Sequence, residues 1–337
     1  MADPSDRWFD GHLDLACMAL DGRDLRAPLA EATGPPQPAS ITLPSLRQGR
    51  VTHCLATIFT GLGTEGPCGY ASMEDDAAHR AGLAQLEIYD SLVASGSMRI
   101  VSGAEDLGLD AAPTPASILL MEGADPIRTP DEAGWWFERG VRVVGLTWAR
   151  GTRYAGGNAA PGPLTPLGRS LVAALDELGM IHDLSHLADE GAWELLKHSR
   201  GPVLASHSNC RALALGHSER NLPDDLIRAI AERGGVIGLN LFSLFLTAEG
   251  DQSRATIDET IAHVEHIVAI TGRTDVVALG SDMDGGFGAD RLPEEVNAPA
   301  DLPRLTDALR RRGWSGEQLD GFRFENWIRF LKRTLPA

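Results

Sequence analysis

Apolar residues along the chain fall into two alternating patterns. Short, nearly continuous apolar runs occur at 7–13, 52–59, 117–122, 141–147, 179–184, 202–206, 234–240 and 275–281. Ser117-Ile-Leu-Leu-Met121 and Val276-Val-Ala-Leu279 are examples. Runs of this kind suit parallel strands covered on both faces. Amphipathic segments lie between them. Leu83, Leu86, Ile88, Leu92 and Val93 recur at helical spacing within 75–95, and Gly96 closes that segment. Residues 166–178 stop at Gly179, 223–233 open with Pro223 and two aspartates and stop at Gly234-Gly235, and 256–271 is helical again.

Strands alternating with helices in this number predict a (β/α)8 TIM barrel, with a C-terminal helical cap near 302–333. The competitor is a doubly wound open sheet. That fold usually places a glycine-rich phosphate turn after its first strand, where this chain has His12-Leu-Asp14-Leu. There is no internal repeat and no linker, so residues 1–337 read as a single domain. Segments 24–48 and 151–165 read as loops, the second lying over the barrel mouth.

Composition narrows the partners. A net charge of −17 argues against nucleic acid and against anionic membrane surfaces. No segment holds the roughly 18 apolar residues that a bilayer span needs. The stretch Met1–Trp8 has neither a basic n-region nor an apolar h-region, so no signal peptide and a cytoplasmic location are expected. Cys17, Cys54, Cys68 and Cys210 show no paired short spacing and read as free thiols.

Candidate chemistry sits where the predicted strands end. The first ends Asp10-Gly-His12-Leu-Asp14, the third Met121-Glu122-Gly123, the fifth Asp183-Leu-Ser-His186, the sixth Ala205-Ser-His207 and the eighth Gly280-Ser-Asp282-Met-Asp284. In a barrel these ends converge on one face. His12 and Asp14, two apart in a strand, would share a side and grip one ion. Imidazoles with carboxylates suit Zn²⁺, with Mn²⁺, Co²⁺ or Fe²⁺ as alternatives. The set exceeds the needs of one ion and would serve two, roughly 3.5–4 Å apart. His53, His79, His198, His263 and His266 read as structural, and Asp183 and Asp284 as groups that orient ligands or turns. The chain has only two lysines, Lys197 in a helical segment and Lys332 near its end. Neither can supply the carboxylated-lysine bridge of many two-metal barrels, so the bridge must be Asp or Glu, and Glu122 is the candidate.

These pieces, in this order, resemble the membrane dipeptidase (renal dipeptidase) family of zinc peptidases, within the amidohydrolase superfamily. The matching motifs are Asp-Gly-His-x-Asp at 10–14, Glu-Gly at 122–123, Asp-x-Ser-His at 183–186, Ser-His-Ser at 206–208, Arg-Asn at 220–221 and Gly-Ser-Asp-x-Asp-Gly at 280–285. The resemblance implies that His12 and Asp14 bind one zinc, that His186 and His207 bind the other, and that Glu122 bridges the two. It implies Asp282 as acid/base, Arg220 on the substrate's terminal carboxylate, and a homodimer. The sequence departs from the family at Leu146-Thr147-Trp148, where members carry a histidine in place of Trp148, and at Phe324-Glu-Asn-Trp327, where they carry Gly-Gly-Asn-Trp. Trp148, Arg150 or Arg153 would then be the substrate-side donor.

The expected function is a two-zinc dipeptidase acting through an activated water on dipeptides, including those with a C-terminal D-residue. Its competitors are a related metal-dependent amide, lactam or ester hydrolase with a non-dipeptide substrate, and a non-catalytic metal-binding protein. A mononuclear deaminase fits less well, because such enzymes usually pair two histidines on the first strand.

Overall fold

A computed structural model describes residues 6–73, 76–108, 114–214, 219–248 and 253–337. Eight parallel strands form its centre: β1 (Trp8–Leu13), β2 (Val51–Phe59), β3 (Ala116–Glu122), β4 (Val141–Gly145), β5 (Ile181–Asp183), β6 (Val203–Leu204), β7 (Ile237–Leu239) and β8 (Val277–Leu279). The first six are paired in chain order and the last two pair with each other. A parallel bridge between Ala205 and Ile237 joins the two groups. Between β8 and β1 the Ser281 N–H donates to Asp10 Oδ1 at 2.7 Å. The expected barrel is therefore present, with each predicted run placed on its strand.

The strands are buried on both sides, as their unbroken apolar runs require. Backbones meet closely near the site. A Cβ on Gly238 or on Gly280 would lie 1.9 Å from the Ser206 carbonyl oxygen, so only glycine lets β7 and β8 close against the end of β6.

Among the described residues, eight α-helices lie between the strands: α1 (Leu15–Leu20), α2 (Leu43–Gln48), α3 (Ala77–Ala94), α4 (Ala133–Glu138), α5 (Pro166–Glu177), α6 (Asp189–His198), α7 (Asp224–Glu232) and α8 (Ile257–Thr271), of which α3, α5, α7 and α8 fall where periodicity places them. Residue 75, at the start of the predicted 75–95 helix, lies outside the described residues. Thr165 caps α5 by accepting from the Gly168 N–H, with Pro166 at the first helical position. Thr256 and Glu259 form a capping box on α8, and Gly272 (φ 69°) ends that helix in the left-handed region.

The C-terminal segment is helical as expected: α9 (Pro303–Arg311), α10 (Gly316–Asp320), a π-turn (Gly321–Glu325) and α11 (Asn326–Thr334). It packs on apolar strand residues that lie beneath the ligand-bearing ends. Phe324, Trp327 and Leu331 share a cluster with Phe9, Val143 and Ile181, and Trp327 Nε1 donates to the Leu279 carbonyl at 2.8 Å. Trp327 reaches as far as Gly11 and the last residue of β8, just beneath the ligand-bearing ends, and the cavity beyond those ends stays open.

Three expectations need correction. Segment 24–48 is not all loop, since α2 occupies its end. Segment 151–165 contains an antiparallel hairpin, Ala155–Gly157 against Ala160–Leu164. Cys17 and Cys68 are not free thiols: they form a disulfide across 51 residues. Sequence spacing could not show this, because the barrel brings the turn after β2 beside α1. Cys54 and Cys210 are free and buried.

Candidate metal-dependent active site

Side chains from separate strand ends meet at the open mouth. His12 Nε2 lies 3.7 Å from Asp14 Oδ1 and 3.4 Å from Glu122 Oε2. This pairing does not follow the expected two-residue strand repeat. The register shifts between Asp10 and Leu13, the strand ends at Leu13, and Asp14 is the N-cap of α1. Thr57 donates to Asp14 and holds it there. Glu122 is the last residue of β3. Its other oxygen, Oε1, lies 3.2 Å from His186 Nε2 and 3.4 Å from His207 Nε2. The two donor sets, His12–Asp14–Glu122 and Glu122–His186–His207, thus share Glu122, with ligand atoms in each lying within 4.8 Å of one another. A third set joins His12, His207 and Asp282.

Hydrogen bonds determine which imidazole nitrogens are bare. Ser206 Oγ donates to Asp183 Oδ2 at 2.6 Å. Its lone pairs then face His207 Nδ1 at 2.6 Å and His12 Nδ1 at 3.3 Å. A hydroxyl has one donor and two acceptor sites, so both rings carry their proton on Nδ1 and present Nε2 as a lone pair. His186 Nδ1 faces Asn158 Oδ1 at 2.8 Å, which assigns the same tautomer. The result is an unsatisfied cluster. His186 Nε2 and His207 Nε2 lie 3.0 Å apart beside a carboxylate, and buried His12 Nε2 has no hydrogen-bond partner. Lone pairs converging in this way repel one another unless cations lie among them. The donors therefore fit divalent transition ions, for which imidazole and carboxylate are common ligands.

Electrostatics point the same way. Burial disfavours charge on His12, yet Glu122, Asp14 and Asp282 outweigh it and push the imidazolium up to about 10. The carboxylates demand positive charge at this place. Burial followed by Arg220 pushes His186 down to about 4. Burial, His12 and Arg220 hold His207 well below the usual range. Burial opposes ionisation of Glu122, but His12 and His186 hold it well below the carboxylate range. Burial pushes Asp282 up to about 7, with His12 opposing and Asp14 and Glu122 adding to the rise.

Backbone strain is concentrated here too. His186 (φ 65°) and Asp282 (φ 59°) occupy the left-handed region, which non-glycine residues rarely adopt. Such conformations cost on the order of 1–3 kcal/mol and persist when the surroundings over-determine them.

The cluster opens into a cavity of about 430 Å³, walled on its apolar side by Phe59, Trp148, Phe242 and Phe245. Trp148 meets Phe59 edge-on at 5.2 Å between centroids, and its ring lies 6.0 Å from that of His186. Arg153 is committed elsewhere, to Asp125 at 3.0 Å. Arg220 is buried beside the cluster. It donates to the His207 carbonyl at 2.9 Å and weakly to Ser208 Oγ at 3.4 Å, while its Nε has no partner. Its guanidinium lies over the Phe245 ring at 4.7 Å, and it interacts electrostatically with Asp282 and Glu122. These hydrogen bonds go to the strand end before it and not to the helix that follows.

The other predicted groups take structural places. Asp183 accepts from the Ser185 and Ser206 N–H groups, and Asp284 forms a buried pair with Arg23 and accepts from Ser40 and Ile41. His263 accepts from the Cys210 N–H, and His266 pairs with Asp224. Sequence reasoning missed Ser206 and Asn158 as orienting groups. Ser206 carried a signal, since it precedes His207 in a strand-end motif. Asn158 carried none, because it reaches His186 from the hairpin.

Comparison with known proteins agrees with this geometry. The membrane dipeptidase family (peptidase family M19) matches residues 6–335. A solved metallopeptidase of that family, dipeptidase AC, superposes with a TM-score of 0.85 at 26% identity, covering 99% of this chain and 100% of that one. A Rhodobacter sphaeroides metallopeptidase, solved with a phosphinate mimic of the dipeptide L-Ala-D-Ala, superposes with a TM-score of 0.81 at 26% identity, covering 97% and 99%. Dipeptidase 3 of Macaca fascicularis is 28% identical over 271 residues, 77% of this chain and 53% of that protein, so the chain spans about half the length of that relative. With the family match running through barrel and cap alike, the chain belongs to the membrane dipeptidase family, peptidase family M19.

Proposed function

We propose that this protein is a two-zinc dipeptidase, cleaving dipeptides with a free C-terminal carboxylate, D-residues at that end included. One observation carries the reading: the two oxygens of Glu122 face two different ligand sets, His12 with Asp14 and His186 with His207. Two ions so held would polarise the scissile carbonyl and activate water. The remaining work belongs to side chains. Asp282, poised near neutrality, takes the proton of the attacking water and delivers it to the leaving amine. Arg220 supplies a guanidinium for the terminal carboxylate, backed by Phe245. Trp148 and Phe59 form an apolar wall of the cavity beside His186, on which the substrate would pack. The phosphinate found in the Rhodobacter sphaeroides relative mimics a dipeptide ending in D-Ala, which supports the stereochemical part of the proposal.

Metal analysis with a dipeptide panel tests this. Two zinc ions per chain and turnover of free dipeptides are expected, with kcat/KM falling about 10–100-fold for C-terminal amides, the loss of a charged hydrogen-bond pair. A fully metal-loaded protein that cleaves no dipeptide would sink the substrate assignment.

Ser206→Ala probes the ligand set separately. Losing the acceptor shared by His12 and His207 is expected to weaken metal binding about 10–100-fold, measured by competition with a chromogenic chelator. Unchanged affinity would mean that something else sets the two tautomers.

We also propose a cytoplasmic homodimer. No helix among the described residues is long and apolar enough to cross a membrane. The Cys17–Cys68 disulfide weighs against the location, because such bonds persist in oxidising compartments. Fractionation with thiol trapping decides the location, and analytical ultracentrifugation the oligomer.

A further inference from the structure

Asn240 directly follows β7, and its side chain is fully buried. Its Nδ2 donates to Asp282 Oδ2 at 2.9 Å, and its Oδ1 accepts from the Phe242 N–H at 2.6 Å. The second bond settles the orientation of the amide: a backbone donor occupies the oxygen, so the NH₂ group must face the carboxylate. The backbone of Asn240 is also clamped. Its N–H donates to Asn209 Oδ1 at 3.1 Å, while Asn209 Nδ2 donates back to the Asn240 carbonyl at 3.1 Å.

Asp282 needs such an anchor. It sits at φ 59°, in a turn that does not by itself determine where the carboxylate points. On the other side its Oδ1 lies against Gly285, where a Cβ would come within 1.9 Å of that oxygen. The carboxylate is thus held between an amide donor and a bare stretch of backbone.

We propose that Asn240 is a positioning residue for Asp282. Its donor ties down one lone pair of Oδ2, which leaves the other lone pairs of the carboxylate to accept and return the proton. Because Asn240 offers only a donor there, it holds the carboxylate in the same place before the proton arrives and after it leaves. The same short segment carries Phe242 and Phe245, which wall the cavity, and Phe245 lies under Arg220. The element that aims the acid/base therefore also shapes the place where substrate lies. This inference rests on the reading of Asp282 as acid/base.

The test compares the full-length, metal-loaded wild type with Asn240→Asp and Asn240→Ala. Asn240→Asp is nearly isosteric and keeps the acceptor for Phe242, but it sets an oxygen against Asp282. Rates are read on whichever compound of a dipeptide, lactam and ester panel the wild type turns over fastest. A lactam or ester in that place overturns the dipeptide reading and still scores Asn240. Both variants are expected to lose about 10–100-fold in kcat with KM within about twofold, and with metal content and melting temperature held in Asn240→Asp. In an Asp282→Asn background, Asn240→Asp should cost nothing further, because its effect passes through Asp282. A wild-type kcat in Asn240→Asp, or a loss that adds fully to that of Asp282→Asn, overturns the proposal.

Discussion

Asp282→Asn is expected to lower kcat by about 10²–10⁴-fold while both metal ions stay bound. Three observations support that size of effect. The carboxylate borders the cavity, one of its oxygens is already held by Asn240, and burial pushes its pKa up to about 7. A group balanced near working pH can take a proton in one step and return it in the next, whereas an amide can do neither. Its shape is nearly unchanged, so the loss falls on chemistry and not on folding. The pH–rate profile offers a second reading: a limb due to Asp282 ionisation should vanish in the variant. Asp282 also lies within ligand reach of His12 and His207. Loss of metal from Asp282→Asn would make it a ligand and overturn its role as proton carrier.

Glu122→Gln is expected to act one level deeper. Each oxygen of Glu122 serves a different ligand set, and an amide can present an oxygen to only one of them. The other set receives an NH₂ group aimed at an imidazole lone pair. Metal content after dialysis should fall from two ions to one or none per chain, with affinity at the impaired set down by more than the roughly 100-fold that loss of an outer-sphere partner can cause. Turnover should fall with it, and added zinc should restore it only in part. Retention of two ions at wild-type affinity would remove Glu122 from the bridging position, and with it the observation on which the proposed function stands.

The barrel was legible in the sequence because buried parallel strands must be continuously apolar. Runs such as Ser117-Ile-Leu-Leu-Met121 announce themselves without any knowledge of their neighbours. Helix limits were legible where glycine marks a stop, as at Gly96, Gly179 and Gly234-Gly235. Ligand types at strand ends were legible because a barrel sends every such end to one face. The hairpin within 151–165 was not, since Ala155–Gly157 and Ala160–Leu164 lack the alternation that marks a strand.

By itself, then, the sequence determined the eight-strand repeat, the residues able to hold metal, and Glu122 as the candidate for a bridge once lysine was ruled out. Each of these is a property of local pattern or of composition. Only the tertiary structure decided that Ser206 serves two imidazoles, that Asn158 turns His186, that Asn240 holds Asp282, and that Cys17 joins Cys68. Apart from Ser206 and His207, which are adjacent, these partners are separated by 28 residues or more along the chain, and a hydrogen bond or a disulfide depends on distance and direction in space. Spacing in sequence carries no record of either.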